Sequence, residues 1–170
     1  MSSGVSPEVW LRGPLPDVVP YLMPAAHALL QAREEVTRAV AGATTEQLWR
    51  RPGGAASAGY HLQHLAGSLD RLLTYARGEP LGEGQRRALL QEGTPGAAAP
   101  ALLSAAHAAI DRALDQIRRT PAETLLDPRE VGRARLPSTV LGLLFHAAEH
   151  TTRHSGQVVT TLKALRPEDA

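Results

Sequence analysis

Ser138-Thr-Val-Leu-Gly-Leu-Leu-Phe-His146-Ala-Ala-Glu149-His150-Thr-Thr-Arg153-His154-Ser-Gly156-Gln157-Val158-Val-Thr-Thr-Leu-Lys163-Ala-Leu165 is the stretch whose reading decides the fold. Val140, Leu144, Ala147, Val158 and Leu165 recur at the 3–4 residue spacing of one helix face, and neither Pro nor a turn cluster interrupts them. The spacing predicts one helix from Ser138 to about Leu165, roughly 40 Å long at 1.5 Å per residue. A helix of that length with a single apolar stripe needs other helices to cover the stripe, so the rest of the chain should supply them.

It does. Working back from Ser138, Asp127 to Pro137 is rich in Arg and Gly and reads as an irregular link. Residues 98–119 form a third long helix after the Thr94-Pro95-Gly96 breaker, and Thr120-Pro-Ala-Glu123 has the pattern of a capping box that opens a brief turn. A second long helix runs from a Ser57 cap to about Arg77 and ends at Gly78-Glu-Pro80, with a short amphipathic piece between Gly82 and Gly93. The first starts between Asp17 and Tyr21, tolerates Pro20 and Pro24 only in its opening turns, carries Leu29, Ala32, Val36 and Val40 on one face, and stops at Gly42. Thr45-Glu-Gln-Leu-Trp49 adds one short turn. With no convincing strand run and no repeat, the fold class is all-α: a four-helix bundle over residues 17–166 with short extra helical turns in its connections, after an irregular lead-in at 1–16.

Composition narrows the chemistry. At 170 residues, 43% hydrophobic and 21% charged, the chain can bury a core. It has no cysteine, so thiolate ligands and a protein-borne thiol nucleophile are excluded. A net charge of +1 with dispersed arginines argues against nucleic acid as a partner. No apolar run approaches the roughly 20 residues that span a bilayer, and the N-terminus lacks the basic-then-apolar pattern of a signal peptide. No membrane and a cytoplasmic location are therefore expected.

The chemistry-bearing residues are histidines. His150 and His154, four apart, lie about 40° apart around the last helix, so both rings can reach one ion. The pair His146/His150 satisfies the same spacing. With His150 as origin, the apolar stripe centres near about +80°, His154 falls near about +40° and His146 near about −40°, which puts His150/His154 on the interior side. Gln157, near about −20°, becomes a candidate to touch a ligand histidine or a substrate. Such a pair arises readily by chance among seven histidines, so a third ligand from another helix is needed. The second long helix offers His61 and His64. Periodicity does not choose between them, and His61 is the nearer to the stripe; Gly67 and Ser68, one turn past His64, suggest space for an ion there. Glu149 is a solvated flank or a base. His27, His107, Trp49 and Tyr60 are read as packing residues, and Arg71 and Arg153 as surface or ion-pair residues.

Two segments resemble the DinB/YfiT-like metal-binding bundles. One is Ser57, six residues, then His64-Leu65; the other is His150-Thr-Thr-Arg-His154-Ser-Gly156-Gln157. The phrase Gly67-Ser-Leu-Asp-Arg-Leu-Leu-Thr-Tyr-Ala-Arg-Gly78 is also similar to one branch, and helix order matches over roughly residues 17–165. The resemblance implies that His64, His150 and His154 bind one divalent ion, zinc or nickel; by their own positions His61, His146 and Gln157 remain candidates to touch those ligands from outside. It further implies a small-molecule substrate, with transfer of a low-molecular-weight thiol (bacillithiol, mycothiol or glutathione) or hydrolysis as the reaction. It extends to stress-linked, damage-inducible members and to homodimers paired through helix faces, towards which the lead-in could reach. Two other readings stand beside it. One is a non-catalytic metal- or ligand-binding bundle, such as a sensor. The other is a metalloprotease, since His146-Ala-Ala-Glu149-His150 spells the H-x-x-E-H signature, with His146 and His150 as ligands and Glu149 as base. A di-iron carboxylate bundle is disfavoured, because Glu-x-x-His occurs nowhere in the chain.

Overall fold

The computed structural model describes residues 6–165. Four long helices carry it: α1 (Met23–Val40), α3 (Ala58–Ala76), α5 (Ala99–Arg118) and α6 (Val140–Leu165). Two short ones, α2 (Thr45–Trp49) and α4 (Glu83–Gln91), lie in the connections. Around the bundle α6 packs on both α1 and α3, and α5 packs on α3 and α1 from the other side. This arrangement sets α3 directly against α6, and so brings the helix of His61 and His64 into contact with the helix of His150 and His154.

The core is leucine and alanine rather than aromatic. Leu29 and Val36 from α1, Leu62, Leu65 and Leu69 from α3, Ile110 from α5, and Leu144 and Val158 from α6 are at most 1% exposed. Each such side chain contributes roughly 1.5–3 kcal/mol by leaving water. Ala106, Ala109 and Ala113 on α5 are buried too, and their small size lets that helix approach closely. The single phenylalanine, Phe145, stays 61% exposed on α6. No helix among the described residues is long and apolar enough to cross a membrane.

The expected Ser57 cap is present: its hydroxyl oxygen accepts from the Tyr60 amide at 3.1 Å. The turn at Thr45 is a five-residue helix closed by a reciprocal box between Thr44 and Gln47. The first helix begins later than the sequence suggested. A 3-10 turn at Pro20–Leu22 leads into α1, because an α-helix begun at Asp17 to Pro20 would need the amide hydrogen that Pro24 lacks. Part of the lead-in folds back on its own chain: Val9 is buried, its amide donates to the Gln31 side chain at 3.0 Å, and Arg12 pairs with Glu34.

Three local expectations are corrected. Asp127 to Pro137 is not an irregular link, for it contains an antiparallel hairpin, β1 (Pro128–Val131) and β2 (Leu136–Thr139), with Pro128 opposite Thr139. Its strands are too short and too poor in β-branched residues to stand out as a pattern. The hairpin also moves the start of the last helix from Ser138 to Val140. Asp127 and Leu125 carbonyls accept from the first α6 amides, and the Thr139 hydroxyl accepts from Gly142 at 3.0 Å, so donors that a helix start leaves unpaired are satisfied. Finally, Thr120 caps nothing. Its hydroxyl donates back to the Gln116 carbonyl at 2.8 Å, and the 3-10 turn at Ala122–Thr124 starts without a side-chain cap.

Candidate metal centre

His150 and His154 lie one turn apart on α6, and His64 faces them from α3. The His64 and His150 Nε2 atoms approach to 3.1 Å. Ring centroids are 4.5 Å apart for His64 with His154 and for His150 with His154. One nitrogen from each of the three rings lies within 4.8 Å of the other two, so the group can hold a metal ion. His61, one turn before His64, is buried and turns to the side of His154, with their Nδ1 atoms 2.9 Å apart. For His154 Nε2 to present a lone pair to a cation, His154 Nδ1 must be the donor of that pair and His61 Nδ1 the acceptor.

The sequence reading missed Glu92, at the end of α4. Its Oε2 lies 2.6 Å from His64 Nδ1 and its Oε1 accepts from Arg71 Nη1 at 2.5 Å, while its side chain is only 7% exposed. No periodic pattern points to it, since it sits in a connection 28 residues beyond His64. The space proposed over Gly67 is real, but its occupant is different. A Cβ on Gly67 would stand 2.2 Å from Glu92 Oε1 and 2.9 Å from Arg71 Nη1, so the glycine clears room for this ion pair rather than for an ion and its ligand. Ser68 opens no space either, because it is buried with its hydroxyl on the Leu65 carbonyl. Arg71 is accordingly a buried ion-pair residue rather than a surface one.

The other candidates do not belong to the three converging rings, although the His146 ring centroid is 5.4 Å from that of His150. His146 is an exposed ring whose Nδ1 meets Glu149 at 2.9 Å; Glu149 in turn accepts from Arg153. That carboxylate is thus engaged in a surface ion pair. Gln157 is exposed one turn beyond His154, and no hydrogen bond ties it to the cluster. His27 and His107 are packing residues, on the Gly13 carbonyl at 3.0 Å and the Thr37 hydroxyl at 2.8 Å respectively. Trp49 is half-buried with its indole N–H on the Ala97 carbonyl, and Tyr60 stacks on His64.

The electrostatics suit a cation. Burial, reinforced by the neighbouring imidazoles of His64, His150 and His61, lowers His154 to about 4. Burial and then His64 lower His150 and His61 as well. These rings are therefore neutral at pH 7, the form in which a histidine ligates. Burial alone would push the Glu92 carboxyl up, but hydrogen bonds from His64 and Arg71 outweigh it and hold the group below its ordinary range.

Do these residues fit a metal ion? In the neutral His64 ring, donation from Nδ1 to Glu92 leaves Nε2 with a lone pair directed at His150 Nε2. Two such nitrogens 3.1 Å apart need a proton or a cation between them. Two nitrogens on one tetrahedral ion, at bonds of about 2.0–2.1 Å, stand about 3.3 Å apart. His150 Nδ1 is meanwhile a buried polar atom with no hydrogen-bond partner, so the imidazole pairings of the metal-free chain do not satisfy this ring. The donor set fits.

Comparison with known proteins identifies a family. A family model described as the DinB superfamily matches residues 28–158, a span that takes in all three converging histidines. No curated protein matches the chain.

Proposed function

The chain belongs to the DinB superfamily, and we propose that within it this protein is a divalent-metal-dependent enzyme that uses a small-molecule thiol or water as nucleophile. His64, His150 and His154 would hold one zinc or nickel ion, both of which imidazole nitrogen suits. The observation that carries the reading is the convergence of three imidazoles from two helices, with one nitrogen from each within 4.8 Å of the others. Three neutral protein donors make the open type of site, with a position left for water or substrate, whereas structural zinc sites are closed by four. An ion there supplies a Lewis acid that brings a water or a thiol toward deprotonation near neutral pH. The chain has no cysteine, so a sulfur nucleophile has to come from a co-substrate. S-transfer to a small electrophile and hydrolysis are the two reactions such a site supports.

The test has two stages. Elemental analysis of purified wild-type protein should find about one equivalent of zinc or nickel, and His64→Ala and His154→Ala should each lose it. Loaded wild-type protein should then accelerate consumption of a thiol from a panel (bacillithiol, mycothiol, glutathione) by a model electrophile, or hydrolysis of an activated ester or amide. Metal retained in both variants sinks the ligand assignment. Metal bound but no acceleration with any thiol or hydrolytic substrate leaves a non-catalytic binding bundle instead.

A further inference from the structure

Helix α4 poses a question, because it buries no residue of its own. Nine residues of helix that add nothing to the core need another reason to be fixed in place. The contacts that tie this stretch to α3 fall on one polar track of that helix. Gln85 donates to the Asp70 carboxylate at 2.7 Å and to the Thr74 hydroxyl at 2.8 Å. At the other end, the Gly93 amide donates to the Gln63 side chain at 2.8 Å. Gly93 has φ of +89° and sits so close to Tyr60 that a Cβ would stand 3.1 Å from its ring, so glycine suits both the turn and the fit. Between these anchors Glu92 enters the slot left by Gly67 and reaches His64 and Arg71.

We propose that Glu92 is the positioning residue of the histidine cluster: its carboxylate fixes His64 as the Nδ1–H tautomer and aims Nε2 at His150, and α4 with its flanking glycines is the clip that delivers it. The inference rests on the reading of His64 as a metal ligand. An ionised carboxylate only accepts, so the short contact of 2.6 Å requires the proton on His64 Nδ1. Arg71 holds the second oxygen at 2.5 Å and balances the charge, which lets a glutamate stay 7% exposed. Tyr60 stacks on His64 with ring centroids 5.5 Å apart and planes 12° from parallel, so the ring is held by a hydrogen bond and a face. A histidine ligand whose second nitrogen donates to a carboxylate is fixed in orientation and made more basic, and loss of such a partner typically costs 10–100-fold in metal affinity.

Two measurements on Glu92→Ala and Glu92→Gln test this. In metal-free protein, nitrogen-15 NMR of the His64 ring reports the tautomer. Wild-type protein should show the Nδ1–H form, Glu92→Ala a mixture, and Glu92→Gln, which keeps a neutral acceptor, a partial return. In zinc competition against a chelator, Glu92→Ala should bind about 10–100-fold more weakly than wild type, with Glu92→Gln between them. An Nε2–H tautomer in wild-type protein overturns the proposal, as does wild-type zinc affinity in folded Glu92→Ala. Should Glu92→Ala fail to fold, the wild-type spectrum and the Glu92→Gln affinity still decide. Wild-type protein that binds no zinc but shows the Nδ1–H tautomer, lost in the variants, would refute the metal reading while upholding the positioning of His64.

Discussion

Replacing Gly67 with alanine should lower the stability of this protein and its metal affinity together. The new Cβ would lie 2.2 Å from Glu92 Oε1, where a carbon–oxygen contact requires about 3.3 Å. The carboxylate must therefore withdraw by roughly 1 Å, and it can, since it ends a flexible side chain. Bonds of 2.6 Å to His64 and 2.5 Å to Arg71 cannot both survive that shift. Hydrogen bonds to charged groups contribute about 1.5–3 kcal/mol each, and water recovers part of that once the carboxylate swings outward. Alanine inside the helix returns about 1 kcal/mol over glycine. The expected outcome is a net loss of about 1–3 kcal/mol in urea unfolding together with a zinc affinity lower by about 10–100-fold. A variant that gains the full helical increment and binds zinc as tightly as wild type would refute the reasoning, because Glu92 would then not be gripping His64 through that slot.

Other outcomes follow from the same geometry. His154→Ala should release the metal and His146→Ala should retain it; elemental analysis with the reverse pattern would favour the H-x-x-E-H protease reading. Leu62→Ala removes a side chain that is fully buried on α3 and should cost about 2–5 kcal/mol in urea unfolding, with a loss under about 1 kcal/mol contradicting the assigned core. Thr139→Ala removes the hydroxyl that accepts from Gly142 and should destabilise by about 0.5–2 kcal/mol, again read by denaturation. The pH dependence has a definite sign. His154 titrates at about 4 in the fold against 6.5 for an unperturbed histidine, and His150 and His61 are displaced in the same direction. Between those values the unfolded chain binds more protons, so metal-free protein should lose stability as pH falls from about 6.5 toward 4. Denaturation curves at pH 7 and pH 5 that superimpose would contradict the burial of these rings.

Much of the fold was legible because a helix states its own geometry. Leu144, Ala147 and Val158 mark the buried face of α6 by spacing alone, and the same spacing sets His150 and His154 on its inner side. The Ser57 cap and the breakers at Gly78 and Pro95 likewise act within a few residues of themselves. Where several weak local signals compete, the reading slipped. Thr120 had the residues of a capping box, yet its hydroxyl bonded backward to Gln116, and the short strands of the hairpin lacked any periodicity strong enough to register.

The choice between His61 and His64 shows where sequence stops. Both project from neighbouring positions of one helix, and periodicity did not choose between them; Gly67 and Ser68 one turn on hinted at His64, and resemblance to known bundles singled it out. Tertiary packing assigned the two different places, His64 against His150 and His61 beside His154, because the α3–α6 contact fixes which rings can meet. It also brought in Glu92 and gave Gly67 its meaning, since a carboxylate and a glycine 25 residues apart touch only after α4 has folded across α3. Periodicity and capping are properties of a single segment, and the sequence alone determined those. The convergence of donors from separate segments depends on how helices pack, and only the folded chain decides it.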